Sequence, residues 1–385
     1  MKLKYFSKPR FLEEIGRRLL EEFVQKFEPE MRIGLPKQSA TDTEYFRELS
    51  AWASSPDKLP SQMIEAMFVV EESATAEGQE RIEAAVARGD IKASFLPESS
   101  HADIALQAWI ANPQGLADVH NELRLSRLST FEYFGSKSAV DRSKSFVPPE
   151  ISVLELIAKD VDAWCENHNR GEETARIKPI LIDDEAWFLV RHGDTFSRKP
   201  KVEKRKSDVI HFRPAKDDVV VYSPSRDEIR IHAGTKGEKE LYRKAFGRRM
   251  FDDETYFSER KSYTLEPLRE AGEDALKTEG VNGLSQIVLR EIEVAFHNAY
   301  DEVIIRKASD LFAAAAASSH KRSAIPSGRL VRAAFDIYFG DSAKPRKVQL
   351  RPPNILKLGR HCDASVVQRW LSLREFRVVT ADKKS

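Results

Sequence analysis

The spacing of apolar residues changes once along this chain, and that change limits its possible folds more than any other feature. Up to about residue 170, apolar side chains recur every three to four positions, as one face of a helix requires. Beyond Lys178 they recur at every second position, as one face of a half-buried strand requires. Helices first and strands later is the pattern of the α+β class. The expected fold is a helical domain over residues 1–144, then a mostly antiparallel sheet domain over 150–385 built from repeated hairpin–helix units. The last of these, 320–385, forms a basic C-terminal unit.

Residues 11–134 read as helices. Phe11, Ile15, Leu19, Phe23 and Phe27 predict one amphipathic helix that Pro29 stops. A short echo follows: Leu49-Ser-Ala-Trp52-x3-Pro56-x2-Leu59 and Leu106-Gln-Ala-Trp109-x3-Pro113-x2-Leu116 share one pattern. In each copy Leu and Trp lie three apart on one helix face, and Pro opens the turn into the next helix. Both tryptophans are expected to anchor the cores of two equivalent helix pairs. Gly135–Pro149, rich in Ser and closed by Pro148-Pro149, reads as the linker, with a helix over Val153–Trp164 beyond it.

In the second half, Ile180-Leu-Ile182 and Trp187-Phe-Leu-Val190 flank the acidic turn Asp183-Asp184-Glu185 and predict a hairpin. Val219–Tyr222 with Ile229–His232 predicts a second, followed by a helix over Glu238–Phe246. Ile292–Phe296 with Val303–Ile305 leads to a helix over Asp310–Ser318. Phe335–Phe339, a turn at Gly340-Asp341 and Val348–Leu350 lead to a helix over Asp363–Leu373. Strands that pair locally favour antiparallel sheet over a doubly wound α/β fold.

Charge is divided as unevenly as periodicity. The formal net charge is +1, yet His320–Ser385 carries 15 Lys/Arg against 5 Asp/Glu, and residues 1–319 carry 47 against 56. A basic tail on an acidic body points to an anionic partner for the tail. Its cations include Lys344, Arg346, Lys347, Arg351, Lys357, Arg360, Arg369, Arg374 and Arg377. On the returning strand Lys347, Gln349 and Arg351 alternate with Val348 and Leu350, so one face is cationic and the other apolar. This strand, the Pro352-Pro353-Asn354 turn and a short helix bearing Arg369 resemble in outline the wing and helix of a winged-helix DNA binder. A second cluster, Arg198, Lys199, Lys201, Lys204, Arg205 and Lys206, lacks apolar periodicity and is expected to be a mobile loop. Both clusters would neutralise a phosphate backbone without reading bases. An acidic protein partner, or a solvated face alone, are the competing readings.

Two motifs would instead belong to an enzyme acting on phosphate esters. Leu189-Val-Arg-His192-Gly-Asp-Thr195 resembles the signature of the histidine phosphatase and phosphoglycerate mutase superfamily. That resemblance implies His192 as phosphoryl acceptor and Arg191 as phosphate ligand. Here the motif lies mid-chain and precedes a basic segment, whereas that family opens its domain with it and continues in β-α alternation. Asp218-x9-Glu228-Ile-Arg230 is similar to the carboxylates of restriction-type nucleases, which hold a metal ion for phosphodiester cleavage. Arg230 stands where that pattern has Lys, and a permanently charged Arg cannot share a proton.

Walker A, GxGxxG, GxSxG and HExxH patterns are all missing, and Cys165-x2-His168 supplies only two of the four ligands of a structural zinc. No cofactor and no metal are expected. With 41% hydrophobic and 32% charged residues, and no apolar run approaching the roughly 18 a span needs, no membrane partner is expected. Glu13, Glu14, Arg17 and Arg18 follow the basic N-terminus where a signal peptide would be apolar. Two distant cysteines, Cys165 and Cys362, fit a reducing cytoplasm. The expected function is therefore a non-enzymatic, cytoplasmic accessory subunit that binds nucleic acid, DNA or RNA, and a protein partner. Its setting would be a bacterial antiviral defence or mobile-element complex. Oligomeric state has no signature here.

Overall fold

The computed structural model describes residues 3–30, 41–55, 58–136, 141–182, 184–203, 205–259, 261–296, 298–318, 323–340, 342, 344–358 and 364–378. Pro56, Asp183, Lys204, Asp341, Arg360, Cys362 and part of the expected linker lie outside them. The chain divides into two compact units, Met1–Arg127 and Leu128–Ser385. Among the described residues no helix is long and apolar enough to cross a membrane.

The first unit holds α1 (Pro9–Ile15), α2 (Arg17–Gln25), α3 (Asp42–Ser54), α4 (Ser61–Ser73), α5 (Ala76–Arg88), α6 (His101–Ala111) and α7 (Pro113–Ser126). Side-chain oxygens start several of them: Thr41 caps α3 in a capping box with Glu44, Ser100 caps α6, and Asn112 caps α7 ahead of Pro113. The single helix expected over 11–27 is two. Gly16 breaks it at φ +87°, a conformation few residues but glycine adopt, and the buried stripe shifts to Leu20, Phe23 and Val24. The echo is also local only. Asn112 alone separates α6 from α7, which pack together, whereas 55–60 separate α3 from α4 and α3 packs on α1. Trp109 is buried against Phe23 and Phe27, ring centroids 5.0 and 5.6 Å away; Trp52 is half-buried.

The second unit begins earlier than expected. Thr130–Ser136, read from sequence as the end of the helices and the start of a linker, is strand β1. Phe131 and Tyr133 alternate with Glu132, a period of two too short to stand out beside the preceding helix. There follow α8 (Ile151–Asn167), β2 (Arg176–Ile182), β3 (Glu185–Gly193), β4 (Ser197–Glu203), β5 (Lys206–Phe212), β6 (Ala215–Ser223), β7 (Glu228–His232), α9 (Lys236–Phe251), β8 (Phe257–Ser258) and α10 (Pro267–Glu270). The remainder is β9 (Leu284–Ala295), β10 (Val303–Lys307), α11 (Leu311–Ala316), β11 (Arg329–Phe339), β12 (Arg346–Arg351), β13 (Ile355–Lys357) and α12 (Ala364–Leu373).

The fold is α+β, with the expected hairpins β2–β3, β6–β7, β9–β10 and β11–β12. They join one antiparallel sheet ordered β10-β9-β11-β12-β13-β1-β7-β6-β3-β2, with β8 beside β1. Its two halves are covered on opposite faces. From β1 to β3, the face carrying Phe134, Phe188, Val190, Val220 and Tyr222 packs under α8 and α9. From β9 to β12, the face carrying Phe335, Ile337, Val348 and Leu350 is buried, and Trp370 of α12 lies 5.3 Å from Phe335. Strand parity therefore decides which side of the sheet each charge reaches.

Candidate nucleic-acid interface

The segment expected to be a mobile loop is the β4–β5 hairpin, a two-stranded sheet of its own that leaves the main sheet between β3 and β6. It pairs from Ser197↔Phe212 to Glu203↔Lys206. Its apolar residues were hard to see because cations separate them and because both faces are exposed, so no side carries a continuous stripe. The run Val209-Ile-His-Phe212 was the available signal, being rich in strand-forming residues. Residues directly opposite share a face. One face carries Lys199 with Ile210 and Lys201 with Asp208; the other carries Arg198 with His211 and Val202 with Ser207. Phe196 (63% exposed), Val202 (75%), Ile210 (44%) and Phe212 (38%) stand among exposed Arg198, Lys199, Arg205 and Lys206. Lys201 pairs with Asp208 at 3.3 Å.

Sequence reasoning missed the root of this arm. Arg213 donates to the carbonyls of Asn169 and Asp194, at 2.8 and 2.7 Å, with its guanidinium 5.8 Å from the Phe196 ring. Phe196 in turn stacks on His211 at 6.3 Å. Gly193 is required here, since a Cβ would lie 2.2 Å from the Arg170 carbonyl.

The basic tail is divided by the sheet. Lys347, Gln349, Arg351 and Lys357 project from the face opposite the α12 core, as the alternation predicted. Arg369 is exposed on α12, on the other side, and Arg346 turns to that side too, its guanidinium 4.2 Å from the Phe339 ring centroid. The two do not form one surface with Lys347 and Arg351. The winged-helix outline is likewise absent, because β12 is an interior strand and no wing projects. Lys344 is exposed beside β12. Arg374 holds the carbonyls of Lys277 and Glu279, and Arg377 pairs with buried Glu228 at 2.6 Å, so these two cations serve the fold.

The cationic face is also less basic than β12 alone implies. Lys347 and Lys357 line a cleft of about 470 Å³ together with Arg290, Glu291, Lys307 and Asp336. Arg290 pairs with Asp336 at 3.2 Å, and Lys307 with Glu291 at 2.6 Å. Arg332 also bonds Glu291, and reaches Glu293 at 2.7 Å. Among the described residues Lys347 and Lys357 have no ion-pair partner and supply the cleft's excess positive charge, while Arg351 lies on the same face outside it.

Parity equally separates the residues of both enzyme motifs. Arg191 points outward into a two-bond pair with Asp217, at 2.7 and 2.9 Å, while His192 is buried at 1% exposure. Asp218 faces α9, whereas Glu228 and Arg230 face the opposite side, about 16 and 10 Å further along the strands at 3.3 Å per residue. Glu228 meets Arg377, and Arg230 meets Glu185 at 2.6 Å.

His192 and Asp218 do meet, in a buried cluster beneath α8 and α9. His192 Nε2 lies 3.1 Å from Asp218 Oδ2, and its Nδ1 lies 2.7 Å from the Gly193 carbonyl oxygen. Both ring nitrogens face acceptors, so both donate, and the imidazole is a cation. Burial opposes that charge, but Asp218, Cys165 and the Gly193 carbonyl override it and raise the pKa to about 10. Tyr242 donates a second bond to Asp218, at 2.8 Å. Glu238, also buried, closes the capping box of α9 with Thr235 and accepts from Lys216 and Arg170. Burial would raise its carboxyl, yet Lys216 and Thr235 bring it down to about 2. His192, Asp218 and Glu238 bring ligand-type atoms within 4.8 Å of one another. Lys216 and Arg170 already fill that space, so a metal ion would have to displace two cations. The cluster is a clamp of paired charges where β3 and β6 give rise to the hairpin.

No protein-family model matches the chain, and no curated protein is significantly similar to it.

Proposed function

We propose that this chain is a cytoplasmic, non-enzymatic subunit that binds duplex DNA through the β4–β5 hairpin, with its helical unit left to a protein partner. The observation that carries this reading is the hairpin: a narrow two-stranded ribbon that interleaves Arg198, Lys199, Arg205 and Lys206 with exposed Phe196, Val202 and Phe212. The major groove of B-DNA admits a two-stranded ribbon, whereas that of A-form RNA is too narrow to be read. Cations on both faces of a ribbon can meet the phosphates of both groove walls. Lys347 and Lys357 lie toward the same end of the strands as the hairpin root, and would extend the contact along the backbone. A role in binding rather than catalysis accords with the separation of Arg191 from His192 and of Asp218 from Glu228. Such a subunit would hold DNA beside a nuclease or ATPase, as in bacterial defence or mobile-element systems.

The test is anisotropy of a labelled duplex against the wild type and a Lys199→Glu/Arg205→Glu/Lys206→Glu variant. All three residues are exposed, so folding should be preserved. The wild type should bind, with an RNA duplex bound more weakly, and the variant should not. Equal affinity of wild type and variant would overturn the proposal.

A further inference from the structure

The strand β10 ends the sheet, with β9 on one side and, among the described residues, no strand on the other. The Phe296 N–H donates to Glu302 O, and the Ala308 N–H to Arg290 O. Even-numbered residues of β10 thus turn their backbone groups to β9, and odd-numbered Val303, Ile305 and Lys307 turn theirs outward. Val303, Ile304 and Ile305 are 47%, 37% and 57% exposed, and Tyr300 90%. An apolar edge strand with outward donors and acceptors is a template for another strand.

The segment Asp301-Glu-Val-Ile-Ile-Arg-Lys307 complements itself when read in the opposite direction. A two-fold axis through Ile304 sets Val303 against the second copy's Ile305 and Glu302 against its Arg306, and brings Asp301, in the turn just before the strand at φ 48°, to the end where the second copy's Lys307 lies. The backbone accepts this register: Val303 and Ile305 both point outward and form the hydrogen-bonded pair, while Ile304 meets Ile304 in a non-hydrogen-bonded pair. Moving the axis by one residue, to Ile305, sets Val303 against Lys307 and removes both charge pairs. Inside one chain, Arg306 donates to the Ser323 and Ala324 carbonyls. Lys307 reaches Glu291 with 73% of its side chain still exposed, so it can turn to a second acid. Glu302 accepts from the Asn298 side chain at 2.9 Å, so both members of the Glu302–Arg306 pair have partners within one chain, and Lys307 is the cation freer to reach across.

We propose that β10 pairs antiparallel with β10 of a second copy of this chain, joining the two sheets across a two-fold axis. This is independent of nucleic-acid binding. The test is sedimentation across the micromolar range. The wild type should be dimeric. Ile305→Pro removes an outward donor without touching the bonds to β9, so this variant should be monomeric with unchanged circular dichroism. Asp301→Lys/Glu302→Arg makes the strand wholly basic, and Arg306→Glu/Lys307→Asp makes it wholly acidic. Each should be monomeric alone, and an equimolar mixture should form a heterodimer. A monomeric wild type, an Ile305→Pro variant that still dimerises, or a mixture that stays monomeric would overturn the proposal.

Discussion

Single residues owe their roles here to which face of a strand they occupy. The sequence Leu189-Val-Arg-His192-Gly-Asp spells phosphate chemistry, but a strand sends neighbouring side chains to opposite sides, and Arg191 and His192 part accordingly. That separation was legible from the alternation alone. The meeting of His192 with Asp218, on a neighbouring strand, was not, because register across strands depends on pairings the local sequence does not contain. Asp218→Asn should destabilise the second unit by about 3–5 kcal/mol in urea unfolding, since removing one charge of a buried pair strands the other. His192 is protonated well above its ordinary 6.5, so its contribution is complete below that value and lost as pH rises toward about 10. Glu238 lies below its ordinary 4.5, so its contribution is complete above 4.5 and lost as pH falls toward about 2. The urea midpoint should therefore peak between pH 4.5 and 6.5, and Asp218→Asn should flatten the alkaline limb. An unchanged alkaline limb in that variant would contradict the clamp.

Elements were legible where a period ran long, and hidden where it was short or exposed on both sides. β7 and β12 alternate visibly and β6 carries the unbroken apolar run Val219–Tyr222, and the hairpins β6–β7 and β11–β12 formed as expected. The β4–β5 hairpin escaped because an arm with no buried face leaves no stripe to find. An isolated two-stranded ribbon is only marginally stable, so its amides should exchange quickly in the free protein and slow on addition of a DNA duplex. Exchange unaffected by DNA would count against the arm as the contact. The echo of Trp52 and Trp109 shows the opposite error, a shared local pattern in two different surroundings. Trp109→Ala should cost about 3–5 kcal/mol by denaturant unfolding, as a buried ring lost from between Phe23 and Phe27. Trp52→Ala, starting half-buried, should cost clearly less; equal costs would restore the equivalence of the two helix pairs.

For the whole molecule, the change of period near Lys178 predicted the class, and the charge count predicted a basic tail. Neither could reveal that β1 inserts between β13 and β7, pairings that span some 220 and 100 residues of sequence. Nor could the count show that the sheet sends Lys347 and Arg369 to opposite sides, or that Arg377 is committed to Glu228. Outside the tail, exposed Arg198, Lys199, Arg205 and Lys206 stand together on an arm of their own. The most direct measurement is the dependence of duplex-DNA affinity on salt for the wild type and for single Lys199→Ala, Arg205→Ala and Lys206→Ala variants. Each phosphate contact steepens the slope of log K against log salt by about 0.9. The wild type should show a slope of roughly −3 or steeper, and each substitution should flatten it by about one. A slope near zero, or slopes that these three substitutions leave unchanged, would contradict the account.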